Sequence, residues 1–177
     1  MPFGSYSCLA DIIHLTSLNN PNSVLDLGIG NGMNGAAIRN YCGKHVRLVG
    51  VEAFEKYRNE IWEVYNRIYI TTIQEYLSST DEFFEVILMT DVIEHFEIEE
   101  GIDVINRLKK RLKPNGALFI STPSVWIEQG AAHGNEFETH RSLWREDMFE
   151  RLGFTIVRKG SPCKYGHMMI IGEYLNK

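Results

Sequence analysis

Apolar positions along the chain alternate between two spacings, and the switches between them outline its elements. Leu9, Ile12, Ile13 and Leu15 recur at roughly helical spacing within Ser7 to Leu18, which predicts one amphipathic helix. Asn19-Asn20-Pro21-Asn22 breaks it. From Val24 to Asn34 the chain reads VLDLGIGNGMN, a short apolar run followed by alternating glycines, and a helix-compatible segment continues to Tyr41. That is strand, tight loop, helix. Val46 to Val51 is a second strand ending at Glu52, and Lys56 to Tyr65 predicts a helix with Tyr57, Ile61 and Val64 on one side. Ile68 to Ile70 is a short third strand and Gln74 to Leu77 a short helix.

The run Phe83 to Thr90 is almost continuously apolar, as expected of a strand covered on both faces, and marks the sheet centre. Ile98, Ile102, Ile105, Leu108 and Leu112 trace one face of a helix that stops before Pro114-Asn115-Gly116, and Ala117 to Ser121 is the next strand. Strands alternating with helices indicate a parallel sheet. Thr122 to Arg141 has no clean periodicity, and loops of that length in compact domains are often functional. A helix from Ser142 to Leu152, closed by Gly153, precedes two strands, Phe154 to Arg158 and Met168 to Tyr174, joined as a hairpin through Gly160-Ser161-Pro162.

Composition narrows the class. A length of 177 residues with 44% hydrophobic and 23% charged residues is ordinary for one globular domain. The formal net charge of −5 argues against nucleic acid as a partner. Lys109, Lys110, Arg111 and Lys113 fall where a helix should end, a place the helix dipole favours for cations. Cys8, Cys42 and Cys163 are odd in number, widely spaced and lack a C-x-x-C pair, so neither a disulfide framework nor a zinc site is indicated. A reducing cytoplasm fits, and no run of apolar residues is long enough to span a membrane.

The glycine stretch carries the chemistry. Alternating glycines let backbone turn sharply and approach a ligand closely, and the first amides of the following helix face whatever occupies the loop. Asp26 is an acid within a central strand, which is costly unless it is hydrogen-bonded. It must tie down loop amides or receive a cationic group of a ligand. Gly30, Gly32 and Gly35 also satisfy G-x-G-x-x-G, with Glu52 about 20 residues downstream of the loop as a ribose-binding acid. A dinucleotide site, however, wants its first glycine directly at the strand end. Gly28 takes that place, and Asp26 before it would repel a pyrophosphate.

Asp26-Leu27-Gly28-Ile29-Gly30-Asn31-Gly32 resembles the first motif of the class I S-adenosylmethionine-dependent methyltransferases, whose ligand carries an ammonium and a sulfonium and no phosphate. The resemblance extends from Val24 to about Tyr174. It implies a three-layer α/β Rossmann-like sandwich with a seven-stranded, mostly parallel sheet and an antiparallel last strand. It further implies cofactor contacts from Asp26, Gly28, Gly30, Asn31 and Gly32 in the loop, and from Glu52 and Ala53 after the second strand. In the family the acid matching Glu52 binds both ribose hydroxyls, and two carboxylate oxygens suit a vicinal diol. Thr72 stands where the family carries an acid for the adenine amino group, so that contact passes to a hydroxyl and to backbone near Ile73.

Asp91-Val92-Ile93-Glu94-His95 resembles the fourth motif of the small-molecule enzymes of this class. It places Asp91 and Val92 near the sulfonium, with capping of the following turn as the plainer role for Asp91, and a structural role for Glu94. His95 is a candidate general base or a structural histidine, its unperturbed pKa lying near neutrality. Val92 and Ile93 replace the two prolines of amine methylases acting on nucleic-acid bases, and no cysteine nucleophile is present in this region. Clustered Asp and Asn ligands of a metal-dependent catechol type are not found, so no metal is expected. The loop from Ser124 to Arg141 supplies Trp126, His133, Glu136, Phe137 and His140 for an acceptor, with His140 a second candidate base; alternatively His140 and Arg141 lock the loop to the helix containing Trp144. Phe3 or Tyr6 in the N-terminal segment could also cover the site.

The expectation is therefore a single domain over 1–177. Residues 1–22 form an N-terminal helical segment, 23–122 bind S-adenosylmethionine (S-adenosylhomocysteine as product), and 123–177 supply the substrate loop, helix and final hairpin. The acceptor is expected to be a small molecule taking the methyl on oxygen or nitrogen, and the chain a cytoplasmic monomer or homodimer. The alternatives are a nicotinamide-dependent oxidoreductase built on Gly30, Gly32, Gly35 and Glu52, and a non-catalytic S-adenosylmethionine-binding protein of the same fold.

Overall fold

The structure is a computed structural model that describes residues 6–159 and 169–177. Helix α1 (Tyr6–Leu18) leads into strand β1 (Ser23–Leu27), the glycine loop and α2 (Met33–Tyr41). Next come β2 (Arg47–Glu52), β3 (Arg67–Ile70), α3 (Ile73–Ser79), β4 (Phe84–Thr90) and α4 (Ile98–Lys109). The chain closes with β5 (Leu112–Pro123), α5 (Glu146–Arg151), β6 (Thr155–Arg158) and β7 (Met169–Leu175). Among the described residues these strands form one seven-stranded sheet in the order β3-β2-β1-β4-β5-β7-β6. The pairings from β3 to β5 are parallel, whereas β7 runs antiparallel to both of its neighbours.

Side-chain alternation along the strands makes the two outer layers. Val24, Leu48, Val86, Leu88 and Phe119 face the side covered by α1 and α2 through Ile12, Ile13 and Ile38. Leu25, Val49, Ile87 and Leu118 face the other side, where Leu77, Val104, Ile105, Leu108 and Phe149 of α3, α4 and α5 pack. The expected three-layer Rossmann-like sandwich is the one observed. Its antiparallel last strand is present, lying between β5 and β6 rather than at the edge.

Local departures have physical causes. The segment expected as a helix from Lys56 to Tyr65 is two 3-10 turns, Glu55–Tyr57 and Glu60–Val64. Arg58 and Asn59 are extended between them, and the Asn59 side chain accepts the Ile61 amide, ending one turn and starting the next. Pro114-Asn115-Gly116 lies within β5 as a bulge instead of outside it. Asn115 adopts a φ of 62°, and its amide donates to the Asn176 carbonyl at 2.7 Å. The helix expected from Ser142 begins only at Glu146, because Trp144 is fully buried ahead of it and donates its indole N–H to Ser142 Oγ and the Ile93 carbonyl. The join through Gly160-Ser161-Pro162, Cys163, Phe3 and the Tyr6 side chain lie outside the described residues.

Candidate active site

A cavity of about 370 Å³ opens beyond the carboxyl ends of β1, β2 and β4, where open parallel sheets place their ligands. Gly28 begins its floor with φ 69°. A side chain there would be strained by the backbone and would also put its Cβ 2.5 Å from the Val92 side chain. The loop that follows is held from three sides. The Gly28 amide donates to the Val51 carbonyl, the Gly30 amide to Glu52 Oε2 at 2.9 Å, and the Trp62 indole to the Gly30 carbonyl at 2.9 Å. Asn59 adds a bond to the Asn31 carbonyl. The irregular 55–64 segment is thus the clamp on the loop.

Glu52 is nearly buried, and its second oxygen accepts the Phe54 amide at 2.8 Å. Burial raises its pKa, partly countered by these amide bonds. Each carboxylate oxygen has a further lone pair, so the group can secure the loop and still accept a ligand's hydroxyls. Tying down the loop amides is a role the sequence left open for Asp26, and Glu52 performs it.

Asp26 sits one layer lower. It is fully buried and does not line the cavity; its carboxyl accepts the Tyr65 hydroxyl at 2.6 Å and the Asn34 amide at 3.4 Å. Burial pushes its pKa up to about 6, against the lowering effect of those two bonds. Asn34 also donates to Thr90 Oγ1 at 2.7 Å, joining α2 to the end of β4. The Tyr65 ring fits between two glycines: a Cβ on Gly35 would lie 2.4 Å from it and one on Gly50 3.1 Å. Gly35 therefore makes room for a tyrosine.

Of the other sequence-chosen residues, Gly30, Asn31, Ala53, Thr72, Ile73, Asp91, Val92 and His95 all line the cavity, and Gly32 and His140 do not. Gly32 is instead the N-cap of α2, with φ 88°. The Thr72 hydroxyl is engaged in a capping box with Glu75 at the start of α3, a T-x-x-E signature readable in the sequence. Asp91, at the end of β4, has φ 54°, a sparsely populated conformation that asparagine and aspartate adopt more readily than other residues.

Beyond Asp91, the 3-10 turn Ile93–His95 brings titratable groups together. Glu94 is buried, with Oε2 accepting Thr122 Oγ1 at 3.0 Å; burial and the neighbouring Asp91 hold its pKa well above the carboxylate range. His95 has a lowered pKa, chiefly from burial, which keeps it neutral at physiological pH. Its ring lies 5.0 Å from that of His140. Ligating atoms of Glu94, His95 and His140 all fall within 4.8 Å of one another. Sequence spacing did not reveal this cluster, since His140 arrives from a distant segment.

That segment is the long loop, and it covers the His95 end of the cavity. Tyr57 donates to Glu138 Oε1 at 2.9 Å and receives a bond from Asn135 at 3.2 Å, joining the loop to the chain after β2. Arg141 binds the His95, Thr139 and Glu136 carbonyls. The Arg141 and Ser142 amides both donate to the Glu94 carbonyl. The loop is thus locked mainly to the Ile93–His95 turn, and Trp144 joins the same turn from extended chain rather than from a helix. Phe137 lines the cavity and is half exposed, as is Trp126; His133 and Glu136 do not line it.

The sequence matches the family described as a methyltransferase domain over residues 5–159. The chain belongs to that family, and its fold is that of the class I S-adenosylmethionine-dependent enzymes. No curated protein matches it by sequence. Among solved structures it is similar to the 1,6-didemethyltoxoflavin N1-methyltransferase of Burkholderia thailandensis, with 20% identity and TM-score 0.70 over 95% of this chain and 76% of that one. The N-methyltransferase NodS of Bradyrhizobium japonicum WM9, in complex with S-adenosylhomocysteine, gives 16% identity and TM-score 0.64 over 95% and 87%. The mitomycin 7-O-methyltransferase MmcR gives 15% and 0.63 over 96% of this chain, which spans 54% of that protein. At such identities the likeness is one of fold. Family membership removes the nicotinamide reading.

Proposed function

We propose that the chain transfers a methyl group from S-adenosylmethionine to a small-molecule acceptor, on oxygen or nitrogen. The observation that carries this is the cavity itself. A glycine loop clamped by a buried carboxylate forms one end, and His95 under a covering loop forms the other. In this reading Glu52 accepts the ribose hydroxyls, the Thr72–Ile73 turn flanks the adenine, and Asp91 and Val92 lie by the sulfonium. Asp26 acts indirectly by fixing Tyr65 and Asn34. Residues 23–122 serve the donor and 123–177 the acceptor. The sulfonium already activates the methyl, so the chain mainly aligns the acceptor at about 3 Å and excludes water. Proteins of similar fold include an N1-methyltransferase and a 7-O-methyltransferase, and both acceptor types are kept.

Calorimetric titration with S-adenosylhomocysteine tests the donor half. Wild type is expected to bind it, and Glu52→Ala to bind roughly tenfold or more weakly, a charge-assisted bond being worth ~1.5–3 kcal/mol. Absence of wild-type binding would sink the donor assignment. Transfer of labelled methyl to fractionated metabolites then tests the acceptor half.

A further inference from the structure

We propose that Glu94, His95 and His140 form a binding site for a first-row divalent metal ion at the acceptor end of the cavity, where the ion would hold an acceptor hydroxyl. The ion-binding claim stands on the cluster alone. Only the acceptor's identity as a hydroxyl rests on the methyl-transfer reading.

The geometry carries the proposal. Metal–ligand distances of ~2.0–2.2 Å leave ligand atoms at most ~4.4 Å apart across an ion; the three groups lie within 4.8 Å of one another, so a small side-chain movement closes them on an ion. Both histidines are oriented as ligands are. His95 Nδ1 lies 3.2 Å from the Thr139 carbonyl and His140 Nδ1 2.8 Å from the Ile127 carbonyl. A carbonyl only accepts, so each Nδ1 donates in its bond, and the His95 ring also lies within hydrogen-bond reach of the Asp91 carbonyl. A backbone carbonyl behind Nδ1 is the usual support of a metal-bound imidazole. Glu94 is likewise oriented from behind by Thr122.

The set is also tied to itself. The amides of Arg141 and Ser142 both donate to the Glu94 carbonyl, at 2.9 and 3.1 Å, so the strand of chain bearing His140 is anchored on the residue beside His95. Two imidazoles and the Glu94 carboxylate, which gives up its proton as the ion binds, suit ions such as Mn²⁺, Co²⁺ or Zn²⁺ better than Ca²⁺. His95 lines the cavity, so coordination positions on that side would face the acceptor. A plain packing role would explain the ring contact between the histidines, but not the placement of a buried carboxyl against both.

With an acceptor hydroxyl on the ion, the O–H bond is weakened by Lewis acidity. Its proton leaves to water, the oxygen attacks the methyl carbon, a C–O bond forms, and the C–S bond breaks with its electron pair kept on sulfur. His95 is then a ligand rather than a general base.

Visible-absorption titration of tag-free protein with Co²⁺, in the absence of methyl donor, tests the site. One saturable site with d–d bands is expected in wild type. His140→Ala and Glu94→Gln are each expected to weaken it at least as much as the 10–100-fold loss typical of removing an outer-shell partner. S-Adenosylhomocysteine titration of the same samples serves as the folding control. No saturable Co²⁺ binding by wild type that still binds S-adenosylhomocysteine would overturn the proposal. So would unchanged binding in both variants. Metal binding without S-adenosylhomocysteine binding would instead strike the donor assignment and leave the metal site standing.

Discussion

A carboxyl with no exposed surface is held beneath the glycine loop by a phenol and an amide, and its ionisation makes folding sensitive to pH. Asp26 has a native pKa of about 6 against an ordinary 3.8. Below the lower value it is protonated in both states and imposes no penalty. As pH rises between the two, the unfolded chain ionises first and the native state binds more protons, so stability falls until the native pKa is passed. A gap of about two units corresponds to roughly 3 kcal/mol. Asp26→Asn, which keeps an acceptor for Tyr65, is therefore expected to lose less stability than wild type between pH 4 and pH 7.5. Urea unfolding at a series of pH values checks this; parallel profiles for the two proteins would contradict it. At this scale the sequence shows that Asp26 needs a partner. It cannot show which, because Tyr65 is distant in the chain and meets Asp26 only when β1, α2 and the 55–64 segment pack.

The elements that surround the cavity differ in how they are specified. Strands β1, β2 and β4 and helix α4 are legible because their apolar positions repeat at a single period, and tertiary packing agrees with that local pattern. The 55–64 segment has helical spacing too, yet Asn59 and Trp62 are committed to the Asn31 and Gly30 carbonyls. Long-range bonds override the local preference there. The same holds for Ser142 to Arg145, where burial of Trp144 competes with helix formation. The covering loop has no period at all, and its placement follows from side-chain bonds involving Tyr57, Arg141 and His95 and from backbone bonds to the Glu94 carbonyl. Tyr57→Phe removes the hydroxyl that bonds Glu138 and Asn135, and burial already holds that phenol's pKa up at about 12, so it is a neutral donor. The expected result is faster amide exchange confined to residues 135–140, with little change in β1 and β4. Exchange unchanged throughout would show that the bonds to the Ile93–His95 turn hold the loop without the Tyr57 hydroxyl.

At the scale of the whole molecule, the parallel part of the sheet assembles one cavity from segments spread across the sequence, so a ligand bound there reports on the entire fold. No helix among the described residues is long and apolar enough to cross a membrane. A ligand at 100 times its dissociation constant stabilises the native state by ~2.7 kcal/mol. For a domain of this size that is roughly 5–10 °C in melting temperature. S-Adenosylhomocysteine is expected to raise the wild-type transition by about that amount, and to raise that of Glu52→Ala clearly less at the same concentration. Scanning calorimetry would show this, and equal shifts would remove Glu52 from the binding role.

The tyrosine lodged between Gly35 and Gly50 has a consequence for descent. Neither glycine can gain a side chain while the ring is in place, and the ring cannot shrink without opening a void beneath the loop. Tolerated change must then come in combinations: a smaller residue at 65 would release 35 to become alanine or serine, would release 50 only if Ile29, 2.9 Å from a Cβ there, also gave way, and would leave Asp26 in need of a different donor. Across diverging relatives these four positions should change as a set, so that a lineage that has lost the tyrosine is recognisable by the residues that moved in to replace it.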